Sequence, residues 1–438
     1  MPTGGNSLTA GQSNSSARRS LPRTGALCDS YGRSVSEIAQ PEHGSQRGLV
    51  NQPTPAVCTL YGSYASYYTA KVRAYLRKKG IPFQERLPSH PRFREHVRPS
   101  SGSHRIPQLE MADGTVIQDS VAIVDHLERL YPDIPAFPDS PRQRLAVHLM
   151  ELLGSEGLVR LAWQYRWFFE GNESFVKMDF GRSFRPQGSD EELLHYGNVI
   201  AERMLSRGKF DNGPEVRAAI EAEYVALLEK LEAHFTRHPY LLGGHPSAAD
   251  YAMMGALHAH MGRDPEPLRV MQDHGPRTFR FMEHMLVPEI QSPEFFDVPV
   301  AYPEEDQLPE TFVAILAHLG KGYGQQFELN ARAWAAHAST RQNEAAGTPL
   351  TEPGEQPGLP AIGFTDRDGT PTEAPCNLYH AWVSQRAQFC YANLSDADRL
   401  ACDDYLEATG LGGLVSVDPV RRIDRREGRL LLGEPTEP

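Results

Sequence analysis

From Val57 onward the apolar positions fall into short patterns. Val57 to Tyr61 is a β-like run, and it meets a stretch in which Val72, Tyr75 and Leu76 share one helix face. Gly80 is a natural stop for that helix, and "IPFQERLP" then alternates like a second strand. A parallel strand pair needs such a helix as its crossover. A polar stretch runs from His90 to His104. After it, "RIPQLEMADGTVIQ" reads as two short strands joined at Asp113-Gly114, a dipeptide suited to tight hairpins. "DSVAIVDHLERLYP" places Ile123, Leu127 and Leu130 on one face of a helix that stops near Pro132.

The order β-α-β, then β-β-α, predicts a compact mixed-sheet domain over 55–135 whose elements match a thioredoxin-like fold. Past the proline-rich linker "DIPAFPDSPRQR", residues 141–290 show mainly helix-period patterns, clearest in "AAIEAEYVALLEKLEAHF", so the second domain is expected to be all-helical. Residues 291–438 read as a mainly helical extension. Its first helix, "ETFVAILAHLGKGYGQQFELNARAWAAHA", is expected to be interrupted around Gly320-Lys321-Gly322. A loop rich in Pro, Gly and Thr follows at about 340–376, then helical sequence broken at Asn393-Leu394-Ser395. The fold class is therefore α/β plus all-α.

Residues 1–54 are different material, rich in Ser, Gly and Arg and without apolar periodicity, and are expected to be a disordered tail. The tail's basic, acid-poor character is faintly like an organelle transit peptide, but it lacks the apolar core of a secretory signal.

With 438 residues, 40% of them hydrophobic, the chain is long enough for two or three domains and a sizeable core. A formal net charge of −12 supplies no general attraction for nucleic acid or anionic lipid. No apolar run approaches the roughly 20 residues that span a bilayer. The five cysteines (Cys28, Cys58, Cys376, Cys390, Cys402) are scattered, without metal-like spacing. That pattern predicts unpaired thiols in a reducing cytoplasm and no metal.

Chemistry concentrates at the first strand–turn–helix. Redox proteins built this way usually hold Cys-x-x-Cys at the turn; here it is Ala65-Ser66-Tyr67-Tyr68. Four motifs stand in order along the chain: Ser66-Tyr67-Tyr68-Thr69-Ala70-Lys71-Val72-Arg73, Ile106-Pro107-Gln108-Leu109, Asp119-Ser120-Val121-Ala122-Ile123 and Pro246-Ser247-Ala248-Ala249-Asp250. In these motifs and their order, residues 57–290 resemble the cytosolic glutathione S-transferase superfamily, of serine or tyrosine type. The resemblance departs at Tyr67, where the family often has proline.

The resemblance implies a glutathione-dependent transferase, with glutathione as co-substrate, a small electrophile as second substrate, and a homodimer. It implies a cis bond before Pro107, with the backbone of Ile106 pairing the cysteinyl part of glutathione. It implies that Asp119 takes the γ-glutamyl ammonium and Ser120 its carboxylate. Arg105 and Gln108 are candidates for the other end of the peptide. A hydroxyl at a helix N-terminus can donate to a thiolate, which the helix dipole also favours. Ser66 aligns with the family's activating serine, and Tyr61 and Tyr68 are its rivals. Trp163, Arg166 and Trp167, at i, i+3 and i+4, can present one face to a second substrate. Ser247-x-x-Asp250 reads as a structural capping box. Cys58 lies inside the strand, so thiol transfer is not expected. The alternative is a non-catalytic binding or scaffold protein that keeps the fold and has lost the chemistry.

Overall fold

The computed structural model describes residues 57–206, 212–351, 359–365 and 371–436. The tail expected over 1–54, Cys28 and parts of the expected 340–376 loop lie outside the described residues.

Strand β1 (Cys58–Tyr61) leads through a turn into α1 (Tyr67–Lys78), and β2 (Phe83–Arg86) lies parallel to β1. The polar stretch that follows is not irregular. It forms a π-helical turn, Phe93–Val97, and then α2 (Arg98–Ser101). Its apolar signal is only two residues, Phe93 and Val97, which pack with Tyr61 in a small cluster of their own. Strands β3 (Gln108–Met111) and β4 (Val116–Gln118) are antiparallel and close a four-stranded sheet in the order β2-β1-β3-β4, followed by α3 (Ser120–Leu130). Leu60 and Leu109 of the sheet share a core with Val72, Leu76, Ile123 and Leu127 of α1 and α3. This is the thioredoxin-like arrangement.

The helical part comprises α4 (Pro141–Leu152), a π-helical turn Leu153–Gly157, α5 (Val159–Phe168), α6 (Glu173–Phe184), α7 (Asp190–Leu205), α8 (Pro214–Phe235), α9 (Ala248–Ala256), α10 (Pro265–His274) and α11 (Pro276–His284). Every residue of α9 is buried. Its start is held by Asp250, whose carboxylate accepts from Ser247 N (2.8 Å), the Ser247 hydroxyl (2.9 Å) and Leu241 N (2.7 Å). A helix end buried this deeply needs such partners for its free N–H groups.

The extension departs from expectation in three places. Helix α12 (Glu310–Ser339) runs unbroken for 30 residues. Gly320, one of the two glycines that suggested a break, is instead a point of close approach, because a Cβ on it would sit 2.4 Å from Thr409 O. Within the expected loop, β5 (Ala361–Thr365) and β6 (Pro371–Pro375) pair antiparallel. After α13 (Leu378–Ala392), α14 (Asp396–Thr409) and α15 (Gly412–Val415), the chain ends in a second hairpin, β7 (Arg421–Arg426) and β8 (Arg429–Pro435). Its arginine-rich run hid the strand signal, since Ile423 and Leu432 are its main contribution to the core.

The extension is built into the molecule. Phe312, Ile315, Leu319, Phe327, Val383, Leu406 and Leu411 belong to the same apolar core as α4, α8 and α9. Among the described residues, no helix is long and apolar enough to cross a membrane.

Candidate functional site

Sheet register brings three of the motifs to one edge. Tyr61, the last residue of β1, pairs with Gln108, the first of β3, and Gln108 pairs with Gln118, the last of β4. The turn after β1, the segment before β3 and the residues after β4 therefore converge. The Ile106–Pro107 bond is cis, and Asp119 N donates to Pro107 O at 3.3 Å.

Ser66 is the N-cap of α1. Its Oγ accepts from Thr69 N (3.3 Å) and from the Thr69 hydroxyl (2.8 Å), and it is half-buried. A hydroxyl that accepts twice still has its own proton to donate. Two guanidinium groups fix the turn in front of it. Arg73 donates to Ser63 O (3.1 Å) while its Nε donates to Glu85 (2.8 Å). Arg166 donates to Ala65 O (2.7 Å) while Nε and Nη2 engage both oxygens of Asp264 (2.8 and 2.9 Å). Lys71, also buried, joins α1 to α4 through Glu151 at 2.7 Å. Burial opposes the charge on Glu151, but Lys71 and Arg386 outweigh it and hold the carboxyl well below its usual range.

Tyr67 is buried between α1 and the helical part. Its ring lies against α9, where a Cβ on Gly255 would come within 2.4 Å of it, and its hydroxyl donates to Gly154 O (2.6 Å). The residue in place of the family's proline thus fastens α1 to the helical part.

The rival tyrosines are engaged elsewhere. Tyr61 is fully buried beside Phe93 and donates its proton to Glu110 Oε2 (3.0 Å). Tyr68 donates to Glu156 Oε2 (3.1 Å). Burial, with Glu110 and Glu156 adding to it, raises both phenols above their ordinary values. A phenol has one proton, and each of these is already given to a carboxylate.

Asp119 adopts φ 94°, an unfavourable region for a non-glycine residue. Its Oδ1 accepts from Val121 N (2.8 Å) and Ala122 N (3.3 Å), capping α3. Ser120 opens that helix and is buried. Arg105 is exposed, with its backbone N–H on Ser103 Oγ, and Gln108 is buried and donates to Ser103 O and Arg105 O.

The proposed substrate face is divided. Trp163 and Trp167 are half-buried, with ring centres 6.4 Å apart, and Trp167 stacks on Phe180. Arg166 is only 3% exposed and its N–H groups are spent on Asp264, Ala65 and Ala259. It is a strut for the turn and not a pocket wall. Cys58 is buried in β1, and its thiol is pushed up to about 11 by desolvation. Among the described residues, no group of His, Cys, Asp and Glu is arranged to hold a metal ion.

Sequence reasoning missed the struts, although Lys71 and Arg73 lie within the first motif it quoted. It also missed Glu156, Tyr379 and Arg425, which carry no local signal and meet the site only through packing.

The family model described as "Glutathione S-transferase, N-terminal domain" matches residues 60–135, and that described as "Glutathione S-transferase, C-terminal domain" matches 214–284. The chain carries N- and C-terminal domains of glutathione S-transferase type. The first match takes in the sheet and α1–α3, and the second spans α8 to α11. A Caenorhabditis elegans protein named "Probable maleylacetoacetate isomerase" is 26% identical over 101 residues, 23% of this chain and 47% of that protein. The chain thus spans about half the length of this curated relative. Among solved structures, a glutathione S-transferase of Ceriporiopsis subvermispora in complex with glutathione is 20% identical (54% of this chain, 99% of that one, TM-score 0.38). A glutathione transferase of Phanerochaete chrysosporium is 19% identical (54% and 98%, TM-score 0.39).

Proposed function

We propose that the protein is a glutathione-dependent transferase that ionises the bound thiol through Ser66 and presents the thiolate to a small electrophile. The γ-glutamyl end lies at Asp119-Ser120, with the carboxylate beside the Ser120 hydroxyl at the N-terminus of α3, where the helix dipole favours an anion. The backbone at Ile106-Pro107 holds the cysteinyl part, and Arg105 and Gln108 flank the far end. The second substrate binds beside Trp163 and Trp167, on the same helix as the strut that fixes Ala65.

The observation that carries this reading is the state of the three hydroxyls. Ser66 sits at the positive end of α1 with a proton to give, whereas Tyr61 and Tyr68 have given theirs to Glu110 and Glu156. A donor at a helix N-terminus lowers a thiol's pKa from near 8.5 toward neutrality. The ionised sulfur is then the nucleophile, adding to the electrophile with or without departure of a leaving group.

The test is an ultraviolet difference titration with glutathione near pH 7. A saturable thiolate band in the wild type that is lost in Ser66→Ala supports the reading. Saturable binding without a band leaves a binding protein of transferase fold.

A further inference from the structure

The extension reaches the candidate site. Helix α13 starts where it does because Asn330 of α12 accepts from Asn377 N at 2.6 Å, and Asn377 then caps α13 through Tyr379 N (3.0 Å). That start brings the Tyr379 hydroxyl to Asp119 Oδ2, 2.8 Å away. From β7, Arg425 donates to the neighbouring Gln118, to its main-chain oxygen at 2.8 Å and to its side-chain oxygen. At the β7–β8 turn, Gly428 lies so close to Ser101 O that a Cβ would be 3.0 Å from it. Three separate points of the extension thus meet the end of α2, at residue 101, and the end of β4, at residues 118 and 119.

The consequence falls on the Asp119 carboxylate. Oδ1 is committed to the start of α3, and Oδ2 receives Tyr379, so the plane of the group is set from both sides. The residue holds an unfavourable backbone conformation, which persists only where its surroundings impose it. Desolvation, with Asp119 and Glu156 nearby, keeps the Tyr379 phenol protonated, so it acts as a donor. A carboxylate oxygen accepts more than one hydrogen bond, so an ammonium can share Oδ2 with the phenol.

We propose that Tyr379 is a positioning residue of the glutathione site, orienting Asp119 to receive the α-ammonium of the γ-glutamyl group. The extension is then a working part of the ligand site and sets its specificity for that ammonium. The proposal rests on the glutathione reading above.

The test uses the full chain and two ligands, glutathione and its analogue lacking the α-ammonium, glutaryl-cysteinylglycine, with affinity measured by calorimetry. Tyr379→Phe removes one oxygen atom, and a thermal melt checks that the fold is kept. The expected result is roughly tenfold weaker glutathione binding with the analogue unaffected. In an Asp119→Asn background, Tyr379→Phe is expected to have no further effect. Equal weakening for both ligands, or no change, overturns the proposal and leaves Tyr379 a structural contact. Tighter glutathione binding also overturns it, because the phenol then competes with the ammonium. If the wild type binds both ligands equally, Asp119 takes no ammonium, and the proposal falls while the glutathione reading stands. If it binds neither, the glutathione reading itself fails, and this proposal with it.

Discussion

Arg166 donates to the main-chain oxygen of Ala65 at 2.7 Å, so a buried cation of the helical part holds the residue next to Ser66 in place. The same guanidinium pairs with Asp264, whose carboxyl burial still raises above the usual carboxylate range against the pull of that partner. One side chain therefore links packing between the two parts to the geometry of the turn.

Arg166→Met should destabilise the protein by about 3–5 kcal/mol, the cost of stranding one half of a buried pair. Denaturant unfolding measures it. A loss under 1 kcal/mol would show that Asp264 finds another partner or takes up a proton.

Ser66→Ala should separate capping from chemistry. Losing the cap costs about 1 kcal/mol of stability. Losing the thiolate's donor should lower turnover by about 10²-fold, the scale for a hydrogen bond to a developing anion. Tyr68→Phe should leave the thiolate band intact, and loss of the band in that variant would reassign the activating group.

Asp250→Ala removes the acceptor for two buried backbone N–H groups and the Ser247 hydroxyl. Each orphaned donor costs about 1–3 kcal/mol, so the variant is expected to fold poorly or melt far below the wild type. Ser247→Ala, which leaves both backbone bonds, should cost much less.

Stability should fall as the medium is acidified below pH 6.5. Desolvation pushes His234 and His258 down to about 3 and His284 to about 4, so all three stay neutral in the fold and charge on unfolding. The unfolded chain then binds more protons between those values and 6.5. Their contribution is complete above 6.5 and is lost as pH drops, at about 1.4 kcal/mol per unit for each. Asp250, raised by burial to about 6, works the opposite way between 3.8 and 6 and offsets one of the three. His234 accepts from the Thr311 hydroxyl (2.8 Å) and donates to Tyr240 O (3.0 Å). His234→Gln should flatten the acid limb by one proton equivalent in unfolding free energies measured against pH.

Gly320→Val should displace α14 from α12, because the new Cβ meets the Thr409 carbonyl, which is backbone and cannot rotate away. The expected loss is about 1–3 kcal/mol, with faster proteolysis of the extension. Unchanged stability would show that α14 can shift without cost.

The strands and helices of the first domain were legible because period and punctuation agree locally: Leu60 alternates within β1, Val72 and Leu76 share a face, and Gly80 and Asp113-Gly114 mark the stops. Ser66, Pro107 and Asp119-Ser120 were legible as motifs because each lies within a short contiguous stretch of the chain. Register then placed them together. The sequence alone also determined that α9 begins at a capping box, since Ser247 and Asp250 are close along the chain.

Only the tertiary structure decided which hydroxyl keeps its proton, because Glu110 and Glu156 reach Tyr61 and Tyr68 from 49 and 88 residues away. Arg166 reads as a pocket residue on its own helix and becomes a strut only once Ala65 and Asp264 are packed against it. Gly320 reads as a break, and α14 makes it a contact. Tyr379 lies 260 residues from Asp119 along the chain, and nothing local to either predicts that they meet. Periodicity reports which face a residue turns inward, whereas the partner it finds there is set by which distant segments share the core.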